Sequence, residues 1–266
     1  MAVNKNKGVK MQRNVLNKGR VELVDKMGSD YSILRAARVS TGSEVSKGDV
    51  KDRGLIRYLY RNEHISPFSF VSFQFYFKMP IFVARQFIRH RTYDVNEASA
   101  RYKEFEWEVW LPDEWRTQDN SENLQGSDGI ASHQSLTSHM VKGIYEKNKQ
   151  AYQSMLCNNI SREQARTVMP VGQYTEFYAH INLRNLFHFL ELRLDEHAQP
   201  EIRVYAEAIL SILKEMDDLK WSIEIFEEMF KLKSLFRECV NVSNSKFKSF
   251  SAIETYLADF IKSNKE

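Results

Sequence analysis

Val71–Lys78 alternates without a break. Val71, Phe73, Phe75 and Phe77 fall on one face of an extended strand, and Ser72, Gln74, Tyr76 and Lys78 on the other. A strand with three phenylalanines on one side must bury that side against a second layer, so the chain cannot be all-helical. Pro80 closes the strand, and Ile81–Ile88 (IFVARQFI) restarts as a helix just behind it. Upstream, Val21–Met27 reads as a first strand ended by Gly28, and Tyr31–Val39 as a short helix. Asp49–Asn62 reads as a helix with Leu55, Ile56, Leu59 and Tyr60 near one face.

Downstream, Phe105–Leu111 (FEWEVWL) alternates again and predicts a second strand. Residues 113–132 are rich in Asp, Asn, Ser and Gly, the composition of a loop or insertion. His133–Leu156 predicts a long helix. Ser161 with Gln164 predicts a capping box for a helix that runs to Met169 and stops at Pro170. Tyr174–Asn182 reads as extended, and Leu183–Leu194 and Glu201–Leu219 as helices. The mixture implies an α+β fold, a small and mostly antiparallel sheet packed with helices plus a further helical part. The regular strand–helix alternation of a doubly wound sheet is absent.

Composition narrows the function classes. The chain of 266 residues is 42% hydrophobic and 27% charged, enough to build a core and too balanced for wholesale disorder. No apolar run approaches the roughly 18 residues of a membrane span, so no membrane role is expected. Two cysteines, Cys157 and Cys239, are too few for a disulfide scaffold and suit a reducing cytoplasm. The formal charge of +3 is unevenly spread: residues 1–20 carry six Lys and Arg and no acid, and residues 231–266 carry seven against four. The body between them holds 25 basic and 31 acidic residues. A nucleic-acid binder usually shows the reverse, so no nucleic-acid partner is expected, and the basic ends read as solubilising or disordered, the head at 1–12 as disordered.

Glycine loops of the G-x-G-x-x-G and G-x-x-x-x-G-K-[ST] types are missing, and so are H-E-x-x-H, C-x-x-C and G-x-S-x-G. The histidine spacings make no familiar metal pair, and no metal is expected. Phosphate binding therefore falls to cationic side chains. Residues 85–103 read RQFIRHRTYDVNEASARYK, placing Arg85, Arg89, His90, Arg91 and Arg101 within 17 positions among Asn96, Glu97 and Ser99. Most such runs are solvated charged stretches. Against that, this one leaves an apolar element, and adjacent Arg89, His90 and Arg91 repel unless an anion lies between them. Guanidinium forks suit phosphate oxygens better than ammonium groups do.

Arg89-His90-Arg91 followed by seven residues and Ser99 resembles the signature of the flavin-dependent thymidylate synthases. Further matches fall in the same order: VELVDKMG at 21–28, LRAARVS at 34–40, HISPF at 64–68, PIFVARQFIRHR at 80–91, VNEASARY at 95–102, ARTVMP at 165–170 and INLRNLFHFLELRLDEHAQPEI at 181–202. The resemblance covers residues 13–230 as one domain. It leaves a basic head at 1–12 and an extension at 231–266 outside, with 113–132 as a loop within.

The resemblance implies the fold of that family and reductive methylation of dUMP to dTMP. Methylene-tetrahydrofolate would supply the carbon, FAD carry the hydride and NADPH act as reductant. It also implies a homotetramer with sites at subunit interfaces and no enzyme nucleophile. It assigns dUMP to Gln86, Arg89, Glu97, Ala98, Ser99, Ala100, Arg101, Arg166 and Arg193. It assigns FAD to Ser66, Arg89, His90, Arg91, Glu97, Asn182, Arg184 and His188. Arg193 is implied to ionise the uracil ring, and His64 to lie near folate and flavin. On local sequence alone, Arg193 equally suits an ion pair with Asp195 or Glu196, and His64 a turn. Two positions depart from the family: Asp94 stands where a serine is frequent, and Ser69 where an acid is frequent. They leave a second reading open, a catalytically impaired nucleotide- or RNA-binding relative. A structural nucleic-acid binder rests on the basic ends alone.

Overall fold

The computed structural model describes residues 11–42, 45–102, 104–118 and 126–243. Most of the basic head, residues 119–125 of the predicted loop and the tail from 244 lie outside the described residues. In chain order the first half forms β1 (Gln12–Val15), β2 (Gly19–Met27), α1 (Asp30–Arg38), α2 (Asp49–Arg61), β3 (Ser72–Pro80), α3 (Ile81–Phe87) and β4 (Asp94–Glu97). The second half forms β5 (Arg116–Gln118), β6 (Ser127–Ile130), α4 (Gln134–Cys157), α5 (Arg162–Ala165), β7 (Tyr174–Asn182), α6 (Leu183–Arg193), α7 (Pro200–Leu213) and α8 (Lys220–Ser243).

The phenylalanine strand becomes the middle of a five-stranded sheet, ordered β1-β2-β3-β7-β4 and antiparallel throughout. Phe73, Phe75 and Phe77 lie opposite Ile181, Ala179 and Phe177 of β7, and all six are buried. Helices α1, α6 and α7 close over this face with Ile33, Leu34, Leu186, Leu190, Tyr205 and Ile209 in the same core. Burying each of the phenylalanines stabilises the fold by about 1.5–3 kcal/mol, which is why the alternation is so strict. The α+β expectation holds. β2 stops where predicted because Gly28 adopts φ +88°, and a Cβ there would stand 2.6 Å from the Phe70 carbonyl oxygen.

Three local expectations fail. Phe105–Leu111 is no strand: it makes one bridge, Val109 to Gln173, flanked by Trp110 N–H to Gly172 O and Tyr174 N–H to Glu108 O. Alternation supplied the faces, but the tight turn at 170–173 offers no straight partner. The Ser161 side chain makes no cap, and the predicted helix shrinks to α5 followed by a 3-10 turn at Arg166–Val168. Glu201–Leu219 breaks after Leu213, with a separate 3-10 turn at Asp217–Leu219. The loop at 113–132 also contains structure, the antiparallel ribbon β5–β6. Position 230 falls inside α8, which continues to Ser243.

α8 begins on a remote cap. Asp30, at the start of α1, accepts from Trp221 N–H at 2.8 Å and from Ser222 N–H at 3.3 Å. Burial raises the Asp30 carboxyl to about 6, against the opposing pull of these hydrogen bonds. Among the described residues, no helix is long and apolar enough to cross a membrane.

Candidate active site

The arginine-rich segment is held by an aromatic anchor. Tyr93 is buried, with its ring 4.4 Å from Phe87 on α3 and 5.7 Å from Phe189 on α6. That packing fixes the turn at 88–93 and leaves Arg89 and Arg91 exposed at its tip. His90 points the other way, edge-on to Phe189 at 4.9 Å. Arg193, at the end of α6, donates from Nε to His90 Nε2 at 2.9 Å. Arginine can only donate, so His90 must accept there as a neutral ring. Burial, then the charges of Arg193 and His188, push His90 down to about 4. Burial also lowers Arg193.

β4 then carries the chain along the free edge of β7, and Ala98 N–H bonds Glu176 O at 2.8 Å. Thr175 Oγ1 donates to Glu97 Oε1 at 2.6 Å, holding that carboxylate against the sheet. Ser99 Oγ accepts from Arg101 N–H at 3.3 Å and from Arg101 Nε at 3.2 Å. Both bonds use the oxygen as acceptor, leaving the hydroxyl hydrogen for a ligand. Across the opening, Arg166 sits on its 3-10 turn with Nε bonded to Glu163 O. Together Glu97, Ala98, Ser99, Ala100, Arg101 and Arg166 line one cleft of about 480 Å³. Its donors and two guanidinium groups that make no ion pair to a carboxylate among the described residues suit a phosphate monoester.

Gln86, Arg89 and Arg193 do not line that cleft. Gln86 turns from α3 toward α7 and bonds Gln199. A second depression of about 460 Å³ lies between α2, α6 and α8, lined by Arg184 and His188 with Tyr60, Phe68 and Phe187 among its walls. Asn182 caps α6 through Asn185 N–H. Ser66 opens the 3-10 turn that carries Phe68, and exposed His64 stands edge-on to Tyr58 at 5.9 Å. Tyr60 O–H and Lys233 both bond Glu191 on the groove's floor, at 2.9 and 2.7 Å. Among the described residues, no cluster of three or more His, Cys, Asp or Glu is placed to hold a metal ion.

Residues 22–217 match the family described as Thymidylate synthase complementing protein. A flavin-dependent thymidylate synthase of Thermus thermophilus is 47% identical over 214 residues, 80% of this chain and 77% of that one. That of Wolbachia pipientis is 36% identical over 261 residues, 91% of this chain and 92% of that one. The chain belongs to the flavin-dependent thymidylate synthase family. A crystal structure of a UMP/dUMP methylase from Streptomyces cacaoi, bound with 5-Br dUMP, superposes with a TM-score of 0.72. It is 35% identical and covers 79% of this chain and 95% of that one.

The two departures from the family pattern sit where they do little to the arginines. Asp94 pairs across the sheet with His180, Nδ1 to Oδ2 3.4 Å, instead of reaching Arg89 or Arg91. Ser69 lies inside the 3-10 turn of Ser66–Phe70. The sequence reading missed Thr175, Met169 and Gln173 in the cleft, and Lys233 in the groove. The strand pattern of β7 contained Thr175, but only its side-chain hydrogen bond across 78 positions shows that it steadies Glu97.

Proposed function

We propose that this flavin-dependent thymidylate synthase converts dUMP to dTMP, with methylene-tetrahydrofolate as carbon donor, FAD as hydride carrier and NADPH as reductant. The observation that carries the reading is the cleft, where Ser99, Arg101 and Arg166 converge as donors beside the end of the β4–β7 pair. The nucleotide phosphate is bound by Arg101 and Arg166, and Ser99 donates its hydroxyl hydrogen to the same ligand. Ser99 is no nucleophile: its oxygen already accepts two N–H bonds. Arg193 stabilises negative charge developing on the uracil carbonyls and ring nitrogen, which makes the fifth carbon nucleophilic. Neutral His90 fixes the direction of the Arg193 guanidinium. Gln86 and Arg89 complete the nucleotide site.

The groove fits FAD in donor character. Arg184 supplies a cation and His188 a ring N–H donor for a diphosphate, and Tyr60, Phe68 and Phe187 supply apolar walls for flat rings. Ser66, Asn182, Glu97 and the Arg89–Arg91 turn are assigned to the same cofactor, and His64 to the folate side. When bound, the flavin supplies hydride chemistry, and the protein positions it. The dUMP residues fall into two groups on one chain, which supports a homotetramer whose sites are completed across subunit interfaces. Exposed Tyr102 and Val171 beside the cleft support the same arrangement. We take the catalytic domain as 13–230, with the head and the extension from 231 as additions, and its place as the cytoplasm.

The test is an anaerobic assay of purified, FAD-loaded protein with dUMP, methylene-tetrahydrofolate and NADPH, reading dTMP. Formation of dTMP is expected. Flavin-loaded protein that makes none would turn the reading to an impaired nucleotide-binding relative. Light scattering checks the tetramer.

A further inference from the structure

Four side chains join the β5–β6 ribbon to the end of α3. Arg116 on β5 donates from Nη2 to Glu201 Oε1 at 2.7 Å, while its Nε donates to Ser127 Oγ of β6 at 2.8 Å. Glu201 stands in the first turn of α7 and is 3% exposed. Its other oxygen, Oε2, accepts from Gln199 Nε2 at 2.7 Å. Gln199 Oε1 in turn accepts from Gln86 Nε2.

The order of donors in this chain is dictated from one end. A carboxylate paired with arginine offers only acceptors. Gln199 must therefore turn its amide nitrogen toward Glu201, which leaves its oxygen to accept. Gln86 must answer with nitrogen. Its own Oε1 is then the outward end of the amide, without a partner among the described residues. An isolated glutamine presents nitrogen or oxygen to a ligand at almost equal cost. Here a flip would set two donors, or two acceptors, face to face inside a half-buried network, at the cost of an unmade hydrogen bond.

We propose that Arg116, Glu201 and Gln199 are positioning residues that lock Gln86 as an acceptor, so that Gln86 selects a nucleotide carrying a hydrogen-bond donor opposite it. This rests on the reading of Gln86 as part of the dUMP site. Two donors of dUMP fit, the imino N3–H of uracil and the 3′-hydroxyl of the sugar. The relay also gives the ribbon a role: Arg116 belongs to the segment predicted as a loop, and its charge reaches the site through three neighbours.

Binding of dUMP, N3-methyl-dUMP and 2′,3′-dideoxy-UMP to FAD-loaded protein is measured by titration calorimetry. Wild type is expected to bind dUMP roughly fivefold tighter than the analogue that lacks the recognised donor, the worth of one hydrogen bond. The weak analogue identifies the donor. Glu201→Gln makes position 201 able to donate or accept, and Gln199→Met cuts the relay without touching a charge. Gln199 makes no side-chain cap on α7, so the second variant keeps the helix start and decides the matter if the first fails to fold. In either folded variant the discrimination is expected to fall within about twofold, whereas a general loosening of the fold would weaken all three ligands alike. Folded variants that keep the wild-type ratio overturn the relay. A wild type that binds all three ligands equally overturns it too, while leaving the dUMP reading intact. Failure to bind dUMP at all overturns the reading beneath it.

Discussion

The cleft beside β4 and the groove beside α6 handle charge in opposite ways. In the cleft, Arg101 and Arg166 stand exposed on turns, and among the described residues neither is joined to a carboxylate by an ion pair. In the groove, Lys233 is matched by Glu191, which also takes the Tyr60 hydroxyl, and the walls are aromatic rings packed edge to face. One site is built from turns that keep two arginines away from carboxylates, the other from helices that pair Lys233, leave Arg184 for a ligand and extend the core outward. Affinity in the cleft should therefore be electrostatic and salt-sensitive. Affinity in the groove should draw more on buried apolar area, beside the Arg184 contact, and respond less steeply to salt.

The largest effect should separate chemistry from both sites. Arg193→Ala should lower dTMP formation by roughly 10²–10³ or more, while flavin absorbance of the purified protein persists. Full turnover in that variant would remove Arg193 from its role. Next, Arg166→Ala should weaken dUMP by about 10–100-fold, the range for hydrogen bonds to charged groups, with FAD retained. Raising salt should weaken dUMP binding to wild type more steeply than FAD binding. Equal salt slopes would erase the contrast between the sites. Smaller still, Tyr60→Phe should cost about 1 kcal/mol of stability in urea, because Glu191 loses one donor, and leave dUMP affinity unchanged.

What the chain discloses in advance follows the range of the interactions. β7 and α6 could be read directly because the extended pattern of Tyr174–Asn182 and the apolar spacing of Leu183–Leu194 are both local. Phe105–Leu111 carried an equally good alternation and failed, because a strand also needs a straight partner, and its partner is a turn. The capping box at Ser161 failed because its residue types permit such a cap and do not oblige it. At the site, the order of motifs brought 97–101 and 166 to one cleft, and local spacing could not have done so. The Arg193–His90 bond spans 103 positions and the Gln86–Gln199 bond 113, so neither leaves any trace in a window of sequence.

One buried and one half-buried titrating group give the finest test, since their slopes oppose each other. His90, at the site, sits at about 4 against an ordinary value near 6.5. Between those values the unfolded chain binds more protons, so the stability His90 contributes is full above about 6.5 and is lost as pH falls toward 4. Asp30, at the remote cap of α8, sits at about 6 against 3.8. There the folded chain binds more protons, so its contribution is full below about 4 and is lost as pH rises through 6. Wild type should therefore show a shallow net slope between pH 4.5 and 6. Asp30→Asn should leave His90 unopposed, so that its urea midpoint climbs more steeply with pH than wild type. His90→Gln should bend the profile the other way. The differences should be a few tenths to about 1 kcal/mol after solvent screening, and titration elsewhere is common to all three proteins and subtracts. Parallel profiles would mean that neither burial is felt in folding. A change in Asp30→Asn alone would place the strained charge at the structural cap and not at the site.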